Sequence, residues 1–324
     1  MNTISQLQSL INQAVADTKY PESPAELYQP ISYLMELGGK RLRPVSVLMA
    51  CNLFTNDVDK ALKAALGIEV FHNFTLMHDD IMDQAPLRRG QPTVHEKWNQ
   101  NVAILSGDVM LVEAYKLMMQ VEPAILPAVL TIFNDTAVGV CEGQQRDMNF
   151  EKRDEVSIEE YLQMICQKTA VLLGGALKIG ALIGGSSETD ADLLYQFGVN
   201  LGIAFQLHDD ILDVYGDPEK FGKQVGGDIL ANKKTFMLIS AKALANGPLA
   251  QELNNWLSHQ NNPANSKVQA VTAIYNQLGV RQLAEIEMRR YADKALQALQ
   301  QVSVLESQKE TLKNFALDLL NRES

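Results

Sequence analysis

The chain has 324 residues, of which 46% are hydrophobic and 6% aromatic, so it has ample apolar material for a large core. Its formal net charge of -11 argues against a nucleic-acid-binding protein, because phosphate backbones attract basic surfaces. The three cysteines (Cys51, Cys141 and Cys166) lack disulfide or metal-ligand spacing, which predicts small core thiols in a reducing compartment.

Helical periodicity runs along almost the whole chain and predicts an all-α fold, with one domain over residues 1–324. The predicted helices cover residues 4–18, 45–53, 61–83, 102–119, 124–149, 158–182, 191–215, 235–245, 251–256, 267–278, 280–301 and 304–320. Glycine, proline and polar residues predict loops at 38–44, 84–93, 216–234 and 258–266. No alternating strand of useful length occurs.

A membrane span is not expected, because no segment reaches roughly 18 uninterrupted apolar residues. The nearest candidate, residues 169–185, contains Lys178 and several glycines. It predicts a buried helix that crosses another helix at its small residues. The N-terminal segment is polar and lacks the basic start of a signal peptide, so a cytoplasmic protein is expected.

Two acidic clusters share the spacing D-D-x-x-D, and each follows an apolar stretch. They are Asp79, Asp80 and Asp83, and Asp209, Asp210 and Asp213. At 3.6 residues per turn the carboxylates of one cluster share an arc of the helix, and like charges that close require a cation. Mg²⁺ prefers such oxygen ligands. A solvated acidic face is the alternative, but both clusters lie in strongly apolar helices. The clusters therefore predict metal ions shared between two helices.

Basic residues lie in the loops beside these clusters. They are Lys40, Arg41 and Arg43 after two glycines, Arg88 and Arg89 after the first cluster, and Lys223, Lys233 and Lys234 after the second. Arginine offers phosphate a planar pair of donors, and lysine offers a point charge. Each basic stretch alone is typical of a surface patch, but beside the carboxylates they predict a metal–diphosphate site. His72 lies about 20° from Asp79 on the same helical face, which predicts a donor into that site.

Together these motifs resemble those of the trans-isoprenyl diphosphate synthases, also called polyprenyl synthetases. The resemblance spans residues 38–235, and its motifs lie at 38–44, 76–83, 88–90, 143–147, 168–169, 205–213 and 222–235. One departure is Asn232, where the family usually has glycine, and it predicts an altered loop backbone.

The resemblance implies a single helical bundle of the isoprenoid synthase type with a central active-site cavity, usually as a homodimer. It implies a head-to-tail (1'-4) condensation of isopentenyl diphosphate with allylic diphosphates (dimethylallyl, geranyl or farnesyl). Three Mg²⁺ ions would bind with the substrate. Their implied ligands are Asp79, Asp83 and Asp209, supported by Asp80, Asp210 and Asp213.

The resemblance also assigns the substrate-binding residues. Those for the allylic diphosphate are Arg88, Lys168 and Lys233. Those for isopentenyl diphosphate are Lys40, Arg43, His72 and Arg89, with Lys223 as a further substrate-binding residue. Thr169 and Gln206 would turn oxygen dipoles toward the allylic carbocation.

Product length in such enzymes depends on the helix before the first aspartates. The resemblance makes Phe74, with the small Thr75 beside it and Phe71 a turn earlier, the floor of a C20 geranylgeranyl product. Ideal helix geometry places Thr75 and Phe71 nearer the Asp79 face than Phe74. Plain core packing of Phe74 and a C15 farnesyl product are the alternatives.

Three other functions are compatible with parts of the pattern. A class I terpene cyclase shares the first aspartate cluster but normally lacks the Gly-Gly-Lys-Arg motif and the second cluster. A non-catalytic subunit of a prenyl synthase loses aspartates, whereas both clusters here are complete. A di-iron bundle needs two Glu-x-x-His pairs, and only Glu69 with His72 offers that spacing.

Overall fold

Helices form almost all of the regular structure in this computed structural model, which describes residues 2–217, 225–258 and 263–321. They are α1 (Ile4–Asp17), α2 (Ala25–Glu36), α3 (Leu42–Phe54), a 3₁₀ turn (Val58–Ala61), α4 (Leu62–Met82), α5 (Val94–Lys97), α6 (Gln100–Met118), α7 (Leu126–Glu151), α8 (Ile158–Ile165), a π turn (Cys166–Ala170), α9 (Val171–Gly184), α10 (Glu188–Tyr215), α11 (Gly227–Leu230), α12 (Phe236–Leu244), α13 (Gly247–Ser258), α14 (Ala264–Leu278), α15 (Val280–Gln301) and α16 (Glu306–Asn321). The prediction of an all-α fold is confirmed.

Several elements differ from the sequence prediction, including the short helices α5 and α11, which were not predicted. Helix α2 was not predicted, because prolines surround it. Pro24 occupies its N-cap and Pro30 lies inside it, where proline cannot donate a backbone hydrogen bond. The burial of Ile31 and Leu34 offsets that loss. Two-residue strands, Leu87–Arg88 and Gln91–Pro92, pair antiparallel within the predicted loop 84–93. The predicted helix 158–182 is interrupted by the π turn.

The chain divides into two compact units, each with its own contacts. The first unit comprises Met1–Asn134, Gly175–Tyr195 and Val302–Leu312, and the second comprises Asp135–Gly174, Gln196–Gln301 and Lys313–Ser324. The first acidic cluster lies in the first unit and the second cluster in the second. The prediction of a single domain over residues 1–324 stays a prediction.

Helix α4 is the central element of the first unit. Its residues from Ala64 to Phe71 are all buried, so the helix has no solvated face along this stretch. A helix that is apolar on all sides is stable only when neighbours surround it, and α1, α3 and α6 pack against it here. This packing holds the acidic C-terminal end of α4 in a defined position.

Helix α9 crosses α3 at two glycines, as the sequence predicts for a buried helix. A Cβ on Gly180 would lie 2.1 Å from the Val47 carbonyl oxygen, and one on Gly184 would lie 2.7 Å from that of Cys51. The segment Ile158–Gly184 is long and apolar enough to cross a membrane, but 67% of its most apolar window is buried inside the fold. Core packing accounts for its composition.

The second unit has a separate core that surrounds α10. Tyr161, Leu207, Met237, Leu253 and Tyr275 are among its buried members. The prediction that the cysteines are small core residues is right for Cys51, which is buried, and wrong for Cys141, which is exposed. The thiol of Cys141 therefore adds nothing to this core.

Candidate active site

The first acidic cluster lies at the C-terminal end of α4, where the helix dipole is negative. Asp80 is buried, Asp79 is half-buried and Asp83 is exposed. Arg88, on the short strand that follows, donates from Nε to Asp80 Oδ2 at 2.8 Å and from Nη2 to Oδ1 at 2.7 Å. Carboxylates at this end of a helix are unfavourable without cations. Arg88 supplies one cation for Asp80, and Asp79 with Asp83, one turn apart, are suited to bind others.

The basic turn before α3 has a backbone that requires its glycines. Gly38 has φ 77° and Gly39 has φ 133°, both in the region that favours glycine. A Cβ on Gly39 would lie 2.7 Å from Arg89 Nη2. The guanidinium of Arg89 donates to the carbonyl oxygen of Gly38. The turn therefore lies against the side chain of Arg89, which follows Gly39 by 50 residues in the sequence.

His72 lies in a strongly positive environment that keeps its ring neutral. Burial lowers its pKa well below the usual 6.5, and Arg43, Arg89, Arg88 and Arg41 lower that pKa further. Arg43 Nη1 lies 3.2 Å from His72 Nε2, and because arginine can only donate, Nε2 is the acceptor. The structure therefore brings Arg43, Arg88, Arg89 and His72 into one cationic cluster. That this cluster binds a diphosphate stays a prediction.

The predicted chain-length residues form part of an aromatic cluster on α4. Phe74 is buried and packs against Phe71 and the ring of His78, at centroid distances of 5.6 and 4.8 Å. Phe71 in turn packs edge-on against Phe133 at 5.2 Å. Thr75 is half-buried, and its hydroxyl donates to the His72 carbonyl oxygen at 2.8 Å.

The partners that hold Phe74 in place lie partly on another helix. His78 Nε2 lies 3.3 Å from the Ile104 carbonyl oxygen of α6. A Cβ on Gly107 would lie 2.2 Å from the same nitrogen, so the glycine makes room for the ring. Sequence reasoning missed Gly107, because nothing in the local pattern of α6 points to α4.

The second acidic cluster lies near the C-terminal end of α10. Asp210 is buried, whereas Asp209 and Asp213 are half-buried. The Tyr161 hydroxyl and the Phe236 backbone N–H both donate to Asp210 Oδ2, and Gln206 Nε2 donates to Oδ1 at 3.4 Å. Burial raises the Asp210 pKa to about 7, and the hydrogen bond from Tyr161 opposes that rise. The middle aspartate here is held by neutral donors.

Lys168 and Thr169 lie on the π turn between α8 and α9. A Cβ on Gly143 of α7 would lie 2.1 Å from the Lys168 backbone nitrogen, and one on Gly202 of α10 would lie 2.7 Å from the Ala170 Cα. The two glycines therefore let neighbouring helices approach the turn closely. Lys168 Nζ donates to Asp147 Oδ2 at 2.6 Å, and Thr169 Oγ1 donates to Gln206 Oε1 at 3.4 Å. π turns occur frequently at functional sites.

The loop after the second cluster is tied to Asp213. The Asp228 backbone N–H donates to Asp213 Oδ2 at 3.1 Å, and the Gly226 N–H donates to the Asp213 carbonyl oxygen at 2.6 Å. Lys233 lowers the Asp210 pKa by its charge. Lys223 lies outside the described residues, so its predicted role stays a prediction.

Asn232, the departure from the family pattern, keeps the backbone that a glycine would have. Its φ is 52°, in the left-handed region where asparagine is the best-tolerated residue after glycine. Its side chain donates to the Leu257 carbonyl oxygen at 3.0 Å and accepts from Lys267 Nζ at 2.7 Å. The substitution is therefore accommodated within a left-handed conformation.

Both clusters have the chemistry that Mg²⁺ requires, namely hard carboxylate oxygens at the negative ends of two helices. In the described part of the chain, however, no three acidic, histidine or cysteine side chains converge on one point. Mg²⁺ commonly binds through one or two carboxylates and completes its shell with water and phosphate oxygens. The residues fit the ion in that mode. That the clusters share their ions, and that a central cavity lies between helices, stay predictions.

Sequence reasoning missed two buried partners of these motifs, Tyr161 and Arg41. Tyr161 carried no local signal, because a tyrosine in an amphipathic helix is typical of a core. Arg41 was grouped with the cations beside the aspartates, and the pairing of its guanidinium with Glu69 in the interior was missed. The sequence signal for this pair was the Glu69-x-x-His72 spacing. It places the acidic Glu69 within the apolar part of α4, one turn before His72.

Comparison with known proteins agrees with this arrangement. The polyprenyl synthetase family model matches residues 24–277. A geranylgeranyl diphosphate synthase of Methanosarcina mazei is 40% identical over 243 residues, which cover 74% of this chain and 75% of that protein. A geranylfarnesyl diphosphate synthase of Natronomonas pharaonis is 37% identical, with 74% and 76% covered. A crystal structure of a geranylgeranyl pyrophosphate synthase superimposes with a TM-score of 0.95 at 43% identity, and 100% of each chain is covered.

The chain belongs to the polyprenyl synthetase family. It is a prenyltransferase with the all-α isoprenoid synthase fold.

Proposed function

We propose that this enzyme condenses isopentenyl diphosphate head to tail with allylic diphosphates in the presence of Mg²⁺ and releases a C20 product, geranylgeranyl diphosphate. The observation that carries the proposal is in the first unit. There the acidic end of α4 lies beside a cluster of arginines around the neutral His72. Carboxylates for a metal ion and donors for a phosphate are thus adjacent.

The side chains divide between the two diphosphates. Arg88, Lys168 and Lys233 hold the allylic diphosphate. Lys40, Arg43, His72 and Arg89 hold that of isopentenyl diphosphate, with Lys223 as a further contact. His72 accepts from Arg43 through Nε2, so its remaining ring N–H is the donor for a phosphate oxygen.

The reaction begins when the allylic C–O bond breaks and its electron pair leaves with the diphosphate. Asp79, Asp83 and Asp209, with Asp80 and Asp213 in support, would hold three Mg²⁺ ions, and when bound these would supply positive charge that stabilises the leaving group. Each cationic side chain adds about 4 kcal/mol of attraction at ~4 Å and an effective dielectric near 20. Several such contacts aimed at the departing diphosphate would lower the barrier substantially.

The carbocation that remains is then attacked by the alkene of isopentenyl diphosphate, which forms the new C–C bond. Thr169 and Gln206, 3.4 Å apart, turn their oxygens toward the positive carbon. The adduct loses a proton to the released diphosphate, so no protein base is required.

Chain length follows from the aromatic cluster on α4. Phe74 is the floor that stops growth, and its ring is fixed between Phe71 and His78. The small Thr75 leaves room beside it, and this combination supports a C20 product. The names of the relatives support C20 and also include a C25 product, so the length is decided by product analysis.

A homodimer is proposed from one face of α6. Leu105, Val112 and Met119 recur every seven residues and are 58%, 57% and 58% exposed. Their spacing places them on a single stripe, which a second copy of the chain would cover. We place the enzyme in the cytoplasm.

The test is an assay of the purified protein with isopentenyl diphosphate and dimethylallyl, geranyl or farnesyl diphosphate. We expect Mg²⁺-dependent release of diphosphate and a linear C20 product by mass spectrometry, and no turnover after chelation with EDTA. A linear C15 or C25 product would correct only the proposed product length and would leave the condensation reaction standing. A cyclic hydrocarbon without elongation would overturn the condensation.

Phe74→Ala tests the floor. Removal of the ring opens a space behind Thr75, so we expect products one or more isoprene units longer. Phe150→Ala, which removes a buried phenylalanine of the second unit, is the control for general loss of packing. An unchanged product from a folded Phe74→Ala enzyme would remove Phe74 from the floor.

A further inference from the structure

Arg41 differs from the other cations of the basic turn because its side chain points into the protein. Its side chain is 4% exposed and forms an ion pair with Glu69, which is 3% exposed. Lys40, its neighbour, is exposed. A buried arginine in a phosphate-binding turn is therefore committed to the protein and not to a substrate.

The backbone of Arg41 is also unusual. Its φ of 49° places it in the left-handed region, which residues with a Cβ avoid. A conformation of this kind persists only where the surroundings determine it. Here Arg41 Nη2 donates to the Met35 carbonyl oxygen near the end of α2 at 2.6 Å, while Nη1 binds Glu69. The two arms of one guanidinium thus join the turn to α2 and to α4.

Glu69 links this anchor to the site itself. It lies on α4 one turn before His72, and Asn73 donates to its side chain at 2.9 Å and to its carbonyl oxygen at 2.8 Å. Arg43, two residues after Arg41, contacts His72. The Arg41–Glu69 pair therefore holds Arg43, which follows Arg41 by two residues, in position relative to His72, which follows Glu69 by one turn.

We propose that Arg41 and Glu69 are a positioning pair that holds the basic turn and the first turn of α3 against α4, so that Lys40, Arg43 and His72 are preorganised for the diphosphate of isopentenyl diphosphate. The pair touches no substrate and acts through the turn. The inference rests on the proposed function, since it assigns this turn to isopentenyl diphosphate. It predicts that loss of the pair weakens the binding of this substrate and not that of the allylic one.

The decisive variant replaces both partners by residues of similar size, R41M/E69M. Removal of one partner leaves a buried charge unpaired and is strongly destabilising, whereas removal of both is often tolerated. We expect Arg41→Met alone to lower the thermal midpoint and the double variant to recover most of the loss. The double variant should still raise the KM for isopentenyl diphosphate about tenfold, the factor that corresponds to one misplaced charge-assisted contact. Its KM for farnesyl diphosphate should stay within about twofold, well inside that factor.

Arg290→Gln is the matched control, because it removes an exposed ion pair with Glu287 on α15. It should change neither KM. Isothermal titration of isopentenyl diphosphate into the double variant without metal gives a readout apart from turnover, and a weaker affinity is expected. If the stable double variant keeps the wild-type KM for isopentenyl diphosphate, or if both KM values rise equally, the positioning role is wrong. If the wild-type protein condenses no substrates, the proposed function itself has failed.

Discussion

The two aspartate clusters have the same spacing, but their middle residues are held in opposite ways. In the first unit Asp80 receives two hydrogen bonds from the cationic Arg88. In the second unit Asp210 receives its hydrogen bonds from Tyr161, Gln206 and the Phe236 backbone, all of which are neutral. Both carboxylates are buried to a similar degree, 2% and 3% exposed.

The same contrast extends to the surroundings of each cluster. The first is organised by charged side chains, with four arginines around His72. The second also contains cations, namely Lys168 paired with Asp147 and Lys233 acting on Asp210, but its distinctive feature is close contact between backbones, where Gly143 and Gly202 admit the π turn. A repeated motif therefore specifies the same spacing of carboxylates without specifying the scaffold that presents them.

The largest expected effect is equal in the two clusters. Asp79→Ala and Asp209→Ala each remove a proposed metal ligand, and each should lower kcat by about 10³-fold, as expected when a group that stabilises developing charge is lost. Steady-state kinetics with saturating Mg²⁺ measure this, and circular dichroism checks that helicity is intact. Asp293→Ala, at an exposed position of α15, is the control. A near-normal rate for either variant would show that the clusters are not functionally equivalent.

The next-largest effect distinguishes the close backbone contacts of the second unit from the side-chain contacts of the first. A Cβ at Gly143 meets the Lys168 backbone, which cannot move aside, so Gly143→Ala should displace Lys168 and lower kcat by about 10²-fold. A Cβ at Gly107 meets the His78 side chain, which can rotate, so Gly107→Ala should lower kcat by a smaller factor. Gly139→Ala is the control on α7, since its Cβ would lie 3.4 Å from Val171 in ordinary contact. Comparable losses at Gly143 and Gly107 would contradict the distinction.

The partners of the middle aspartates should differ in what they support. Tyr161→Phe removes a hydrogen bond from a buried carboxyl group and should lower the free energy of unfolding by about 1–3 kcal/mol, with kcat little changed. Arg88→Met leaves the buried Asp80 without its cationic partner, so it should lower the free energy of unfolding by about 3–5 kcal/mol. It also removes a proposed contact to the allylic diphosphate, so the KM for that substrate should rise as well. Thermal denaturation and kinetics on both variants measure the two effects. The comparison fails if Tyr161→Phe abolishes activity without a change in stability.

The smallest effect concerns the pH dependence of stability in the first unit. The folded protein keeps His72 neutral below its usual pKa of 6.5, whereas the unfolded chain takes up the proton. Stability from this residue is therefore complete above about pH 6.5 and falls as the pH drops below it, by at most about 1.4 kcal/mol per pH unit.

His72→Gln should remove this contribution. Thermal midpoints at pH 7.5 and 5.5 compare the two proteins, and the wild type should lose more stability on acidification than the variant. Other titrating groups are common to both and cancel. Equal losses would mean that burial and the neighbouring arginines do not keep His72 neutral.

Particular residues show how far sequence reasoning reaches. The period of 3.6 located α4 and α10, and the aspartate spacing located both clusters within them. The same reasoning missed α2, because prolines mask a helix that burial of Ile31 and Leu34 stabilises. It ran one helix through Lys168, because a π turn depends on how closely α7 and α10 approach and leaves no local pattern.

The order of residues along the chain was enough to determine the helical class, the two aspartate motifs and the family, because each depends on residue type at short, regular spacing. Only the tertiary structure decided that Arg41 turns inward to Glu69, that Asp80 and Asp210 have different partners, and that Asn232 keeps a left-handed backbone. Those outcomes depend on which distant residues share a small buried volume. There, burial makes every unpaired charge costly, and a Cβ at a close contact has no room.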